Sequence, residues 1–210
     1  MTAPLTIDFF HDVVCCWCFN ISSRMRSLAA EFELDIRHHT FVLQASRAEM
    51  TARWGAPAQA RETILGHWSA CRQASDRPEL IDIGAMRAAP FDYPHGMTAA
   101  LACKAAERLG GQGAHWDLFD RLQGAHLAEA RNIADPDTVL QLARETGLEA
   151  GGFARFFSDP ATARAVEADR QLARAQQIRS VPALIIRETG TRLVNGSRDE
   201  LAVQLRHALR

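Results

Sequence analysis

The stretch Phe10-His11-Asp12-Val13-Val14-Cys15-Cys16-Trp17-Cys18-Phe19-Asn20 places three cysteines in four positions. Upstream, Leu5, Ile7 and Phe9 alternate with Thr6, Asp8 and Phe10, a strand pattern apolar enough on both faces to be internal. Downstream, Ile21, Met25, Leu28, Ala29 and Phe32 recur at helical spacing, which predicts a helix from Cys15 or Cys16 to Glu31 or Phe32. The cysteines therefore fall where a strand hands over to a helix. A cysteine at that junction faces unpaired backbone N–H groups and the positive end of the helix macrodipole, and both favour thiolate over thiol. Cys18, three residues after Cys15, lies on nearly the same helix face and within reach for a disulfide. Thiol–disulfide exchange needs this geometry: an exposed attacking sulfur, and a resolving sulfur buried one turn behind it.

Working outward, Leu34 to Leu43 is rich in branched and aromatic residues and reads as a second strand. Strand, helix and strand make a βαβ unit with a parallel pair and a right-handed crossover. From about Glu49 to Gln177 helix signals dominate. Asp135-Pro136 and Asp159-Pro160 are each a cap residue followed by proline at the first helical position, and Gly110 and Gly147 sit where left-handed terminators belong. Helices are expected near 57–74, 97–109, 115–126, 136–146 and 160–177, with a short one at 150–157; residues 76–95, with three prolines, read as mostly loop. Strands return at 183–186 and 191–195 around a turn at 188–190. Ser197 and Glu200 have capping-box spacing ahead of a last helix with Leu201, Leu205, Ala208 and Leu209 on one face. The order is β-α-β, a long helical block, then β-β-α. Such a block between two sheet fragments reads as an all-helical insertion beside an α/β sheet. The expected division is 1–48 for the first half of the sheet domain, 49–160 for the insertion and 161–210 for the second half.

The 210 residues, 47% hydrophobic, suffice to bury a core without staples. Twenty-four basic against 25 acidic residues give a net charge of -1, which argues against nucleic acid as a partner. The N-terminus has no basic residue ahead of its apolar stretch, Asp8 interrupts that stretch, and no run approaches the roughly 18 apolar residues of a membrane span. A cytoplasmic location without membrane association is expected, and five cysteines do not suit a secreted disulfide scaffold.

The cysteines admit other readings. A zinc site lacks a second C-x-x-C, and the eight histidines show no paired ligand spacing beyond adjacent His38 and His39, so no metal is expected. Inert burial suits Cys103 and Cys71 but suits a Cys-Trp-Cys cluster at a helix start poorly. A relic motif whose chemistry has been lost stays open. Ser180-Val181-Pro182 stands directly before the third strand; a proline there is allowed in trans, and its company with the C-x-x-C favours a cis bond facing Cys15.

On these residues the chain resembles the thioredoxin superfamily. The resemblance is to its DsbA-like branch with an inserted helical domain, most closely the FrnE-type proteins related to 2-hydroxychromene-2-carboxylate isomerases and kappa-class glutathione transferases. It spans nearly the whole chain and rests on FHDVVCCWCFN, on NIADPDTVLQLARETGLEAGGF, and on QQIRSVPALII followed by LVNGS. The resemblance implies a thioredoxin-like fold and a thiol–disulfide oxidoreductase. In it Cys15 matches the nucleophile, Cys18 the resolving thiol, Trp17 the active-site aromatic, Pro182 the cis-proline, Asp12 the acidic residue and Gly196 the glycine ending the last strand. Val181 and Pro182, with Trp17, would bind an extended substrate. Cys16 stands where the family has proline, Asn20 or Ile21 where a glycine is usual, and Ser180 where glycine is common. Cys16 would therefore tune the redox potential, its side chain turned about 100° from the Cys15–Cys18 face and the first thiol lost to over-oxidation if exposed. His11 and Asp12 read as structural or surface groups rather than proton carriers. Partners implied are thiol or disulfide proteins or small thiols, with a homodimer allowed; no cofactor is implied, and glutathione is the co-substrate the family admits. Two alternatives remain: a glutathione-dependent isomerase or transferase of the same fold, and a non-catalytic redox-responsive binding protein.

Overall fold

The computed structural model describes residues 4–209. Strand β1 (Leu5–His11) leads through a short turn into helix α1 (Cys16–Glu31), and β2 (Leu34–Thr40) returns parallel to β1. The helical block follows as α2 (Arg47–Trp54), α3 (Pro57–Gln73), α4 (Ile83–Ala88), α5 (Met97–Leu127), α6 (Pro136–Glu145), α7 (Ala150–Phe157) and α8 (Pro160–Ala175). Strands β3 (Ala183–Ile186) and β4 (Thr191–Leu193) and helix α9 (Arg198–Ala208) complete the chain. The sheet order is β2-β1-β3-β4, with β3 antiparallel to both β1 and β4. This is a mixed α/β thioredoxin-like fold carrying a helical insertion.

Strand β1 is internal, as its composition requires, and its two faces serve different partners. Phe9 and His11 turn towards α5, where Phe9 meets Phe119 edge-on. Asp8 and Phe10 turn to the other face, where His39 stacks on Phe10 and bonds Asp8. There α8 is pinned to β2 by Asp169, which accepts from the Thr40 N–H at 2.9 Å and contacts His39 at 3.1 Å. One continuous buried cluster joins Ile7, Phe9 and Leu184 of the sheet to Leu65, Trp68, Phe119 and Phe153 of the helical block. The insertion and the sheet therefore share a core.

The caps explain most boundaries. Asp135, Glu149, Asp159 and Ser197 each accept from the first-turn N–H groups of α6, α7, α8 and α9, and Ser197 with Glu200 closes a capping box. Some expectations need correcting. The second strand stops at Thr40, not Leu43, because Val42 takes φ +59° and the Leu43 N–H turns to the Asp12 carboxylate. The last strand stops at Leu193 because both backbone groups of Val194 pair with the Gln204 side chain. The stretch 76–95 contains α4, capped by Asp82, and α2 was not expected at all. Helix α5 is two helices, as expected, parted at Gly110 and Gly111; the left-handed residue is Gly111 (φ +74°), which a side chain rarely tolerates, rather than Gly110, whose φ is -139°. Leu209 lies beyond α9 and is exposed, leaving Leu201, Leu205 and Ala208 on the packed face.

Candidate active site

The turn between β1 and α1 is held from several directions. The Cys15 N–H donates to the Asp12 carbonyl at 3.1 Å, which turns the chain, and Cys15 caps the helix with extended backbone (φ -88°, ψ 105°). No acidic residue occupies the first turn of α1, so the helix end is a favourable place for negative charge. Gln123 of α5 donates to the carbonyls of Cys15 (2.9 Å) and Val13 (3.2 Å), and the Tyr93 hydroxyl donates to that of Val14 (3.3 Å). Gly96 passes so close to Asp12 that a Cβ there would lie 2.5 Å from a carboxylate oxygen. Sequence reasoning missed Gln123, Tyr93 and Gly96, since nothing in their spacing ties them to the groups of the turn that they contact, 79 or more residues away.

The three thiols of the motif meet three environments. Cys15 Sγ lies 3.6 Å from the Val181 carbonyl, across from the Val181–Pro182 peptide, which is cis. Its residue is only 7% exposed, so the expected exposed sulfur sits instead at the foot of a groove. Cys18 is fully buried behind Cys15; burial, then the neighbouring Cys15 thiol, pushes its own thiol well above the usual range. Cys16 is also buried, which removes the premise on which easy over-oxidation rested. The neighbouring Cys71 thiol of α3, then burial, pushes its thiol up as well. Asn20, one turn on, donates to the Cys71 carbonyl and sulfur at 3.3 Å each.

Trp17 is 40% exposed between two grooves. One, of about 530 Å³, is lined by Trp17, Ile21, Arg24, Val181, Pro182 and Asn195. The other, of about 340 Å³, is lined by Cys15, Cys16, Trp17, Trp54, Trp68 and Val181. Asn195 fixes the proline loop by donating to the Pro182 carbonyl at 2.8 Å. The structure thus brings Cys15, Cys18, Trp17, Val181 and Pro182 to one place and turns Cys16 away from it, into the contact with α3. Gly196 lies beyond the end of β4, and Asp12 is buried, its carboxyl raised to about 6 by burial against the opposing effect of backbone N–H donors. His11 is likewise buried, in contact with His38 and His115.

Comparison with known proteins agrees with this fold. The ClpXP adapter protein SpxH of Bacillus subtilis is 24% identical over 181 residues, covering 86% of this chain; the chain spans 58% of that protein's length. The cytosolic disulfide reductase DsbM of Pseudomonas aeruginosa, solved with GSH, superposes with TM-score 0.75 at 25% identity, covering 98% of this chain and all of that one. A 2-hydroxychromene-2-carboxylate isomerase shares the fold at TM-score 0.64 and 15% identity, over 98% of this chain and 94% of that one. The model of the DSBA-like thioredoxin domain matches residues 6–206, and the chain belongs to that family.

Proposed function

We propose that the protein is a thiol–disulfide oxidoreductase working through the Cys15–Cys18 pair. The observation that carries this reading is the placement of the pair, with Cys15 at the helix start, its sulfur 3.6 Å from the Val181 carbonyl, and Cys18 sealed behind it. In the reductive direction the Cys15 thiolate attacks one sulfur of a substrate disulfide; a Cys15–substrate disulfide forms and the other substrate sulfur leaves as thiolate. Cys18 gives up its proton and attacks the Cys15 sulfur. The enzyme disulfide closes, the substrate leaves as a second thiolate, and two electrons have passed from enzyme to substrate. The reverse sequence oxidises a dithiol. Substrate chain lies along the grooves beside Trp17, against Val181 and cis-Pro182. A relative solved with GSH supports glutathione as the small thiol that recharges Cys15–Cys18, and that relative, a cytosolic reductase, supports a cytoplasmic setting. Among the described residues, no helix is long and apolar enough to cross a membrane.

The test is trapping. Cys18→Ser removes the resolving sulfur, so mixed disulfides on Cys15 should accumulate with a model disulfide substrate, while Cys15→Ser should trap none. An isomerase or transferase would retain turnover in Cys18→Ser. A second reading has one observation behind it, the similarity to an adapter protein: a redox-responsive binding protein would form the Cys15–Cys18 disulfide yet show no multiple turnover with glutathione and a disulfide substrate.

A further inference from the structure

Away from the cysteines, three histidines from three elements converge in the core. His11 ends β1, His38 lies in β2 and His115 in the second half of α5, and none is more than 1% exposed. His11 Nε2 lies 3.2 Å from His38 Nδ1 and 3.2 Å from His115 Nε2, and the three nitrogens all fall within 4.8 Å of one another. Ring centroids are 5.2, 5.2 and 4.9 Å apart. Three imidazoles on one tetrahedral cation, with metal–nitrogen bonds of 2.0–2.1 Å, would hold their ligating nitrogens about 3.3 Å apart and their centroids about 5 Å apart. Two of the nitrogen separations and all three centroid separations fit such an ion, and the His38 and His115 nitrogens lie within 4.8 Å of each other.

Proton accounting points the same way. His115 Nδ1 lies 2.8 Å from Glu107 Oε2. A carboxylate only accepts, so the His115 proton sits on Nδ1 and its Nε2 presents a lone pair. A neutral imidazole carries a single proton, on one ring nitrogen or the other. A proton on His11 Nε2 can serve one of the two nitrogens it faces and leaves the other unpaired. A proton on His11 Nδ1 leaves no hydrogen between His11 and His115. His11 Nδ1 and His38 Nε2, on the far sides of their rings, have no partner among the described residues. Phe9, Phe119 and Trp116 wall the cluster. Without an occupant the site keeps buried lone pairs unsatisfied, an arrangement proteins avoid. The nearby Lys104 ammonium does not claim them; it is engaged by Glu107 at 2.7 Å and Asp169 at 3.3 Å.

We propose that His11 Nε2, His38 Nδ1 and His115 Nε2 bind a divalent cation of the zinc type, with Glu107 as the outer carboxylate orienting His115. Imidazole nitrogen suits zinc, and a carboxylate on the distal ring nitrogen is the usual support for such a ligand. Three protein ligands leave the fourth position to water, and the ion would tie the end of β1 to β2 and to the insertion, a few residues upstream of Cys15. It is independent of the exchange chemistry.

The experiment uses the full chain with Cys15→Ser and Cys18→Ser, since those thiols would also take zinc. After chelation and dialysis the protein is titrated with zinc chloride, and separately with cobalt chloride. Expected are one zinc per chain, a rise in thermal midpoint with zinc, and a cobalt spectrum with visible ligand-field bands and no sulfur charge-transfer band. Glu107→Gln keeps all three imidazoles and should weaken zinc binding 10- to 100-fold, and His38→Phe should abolish it. If His38→Phe fails to fold, the Glu107→Gln titration decides alone. Absence of stoichiometric zinc, a thiolate-type cobalt band, or unchanged affinity in Glu107→Gln overturns the proposal.

Discussion

Acid should destabilise this protein partly through His126, and the size of that part follows from where the ring sits. His126 is fully buried in α5, its Nε2 2.9 Å from the Tyr93 hydroxyl oxygen, and Trp68 Nε1 reaches the same oxygen at 3.2 Å. The best-satisfied pattern has His126 and Trp68 both donating to Tyr93, and Tyr93 donating to the Val14 carbonyl just before Cys15. His126 Nδ1 then carries a bare lone pair with no partner among the described residues. A second proton there would be a buried, unpaired charge, and burial alone lowers the pKa to about 3 from the usual 6.5. As pH falls below 6.5 the unfolded chain takes up a proton that the folded chain refuses, so stability is lost progressively down to about pH 3. By linkage the loss from this residue is about 2 kcal/mol at pH 5 and about 4 kcal/mol at pH 3, relative to neutral pH.

The perturbation is His126→Gln, which can still donate to Tyr93 but cannot take up a proton. Urea unfolding of both proteins at pH 7 and pH 5 gives the measurement. Wild type should lose about 2 kcal/mol more than the variant between those pH values. His11, His38 and His115 contribute in the same direction, and taking the difference between wild type and variant cancels them. Equal losses in the two proteins would refute the reasoning, because His126 would then titrate alike in folded and unfolded states.

In the reduced protein, alkylation followed by mass mapping should modify Cys15 well before Cys16, Cys18 or Cys103, whose thiols burial holds protonated and shielded; equal or faster labelling of Cys18 would reverse the assigned roles. Gly96→Ala would press a Cβ onto the Asp12 carboxylate and should cost about 1–3 kcal/mol, so an unchanged denaturation midpoint would show that the contact relaxes freely. Gln123→Leu leaves the Val13 and Cys15 carbonyls without their donor and should cost about 1–3 kcal/mol; it should also shift the Cys15–Cys18 potential, which a purely structural glutamine would leave alone. Cys16→Pro should fold, because Cys16 is the first residue of α1, where proline fits, and should keep disulfide exchange at an altered potential; complete loss of exchange with Cys15 and Cys18 intact would place Cys16 in the relay.

Much of this was legible because local chemistry and tertiary demand agree. The caps at Asp135, Asp159 and Ser197 were readable from the residues alone, since a cap is satisfied within four residues. The βαβ start was readable because the internal position of β1 and the packed face of α1 impose periods of 2 and 3.6. Helix α2 was not: it has eight residues and a single buried side chain, Met50, so no period exists to be read. The end of β2 was not, because it depends on Asp12 drawing the Leu43 N–H out of the strand direction. The histidine cluster left no spacing signal either. His11 and His38 meet only because β1 and β2 pair in parallel with Phe9 opposite His38, and His115 arrives on a helix from a distant part of the chain.

The crowding of three cysteines is decisive in sequence and misleading in space, and helix geometry explains both. Successive residues on a helix turn by about 100°, so sulfurs adjacent in sequence leave the junction in different directions. Cys15 meets the proline loop of the sheet, Cys16 meets α3, and Cys18 goes under the turn. The helical block supplies two of the groups that hold this junction, Gln123 and, from the approach to α5, Tyr93, besides the Cys71 that receives Cys16. The insertion is therefore more than a cover over a thioredoxin-like sheet. It fixes the carbonyls of Val13, Val14 and Cys15, so under the proposed mechanism a substitution in α5 or α3, far from Cys15 in sequence, changes the exchange chemistry without touching Cys15 or Cys18.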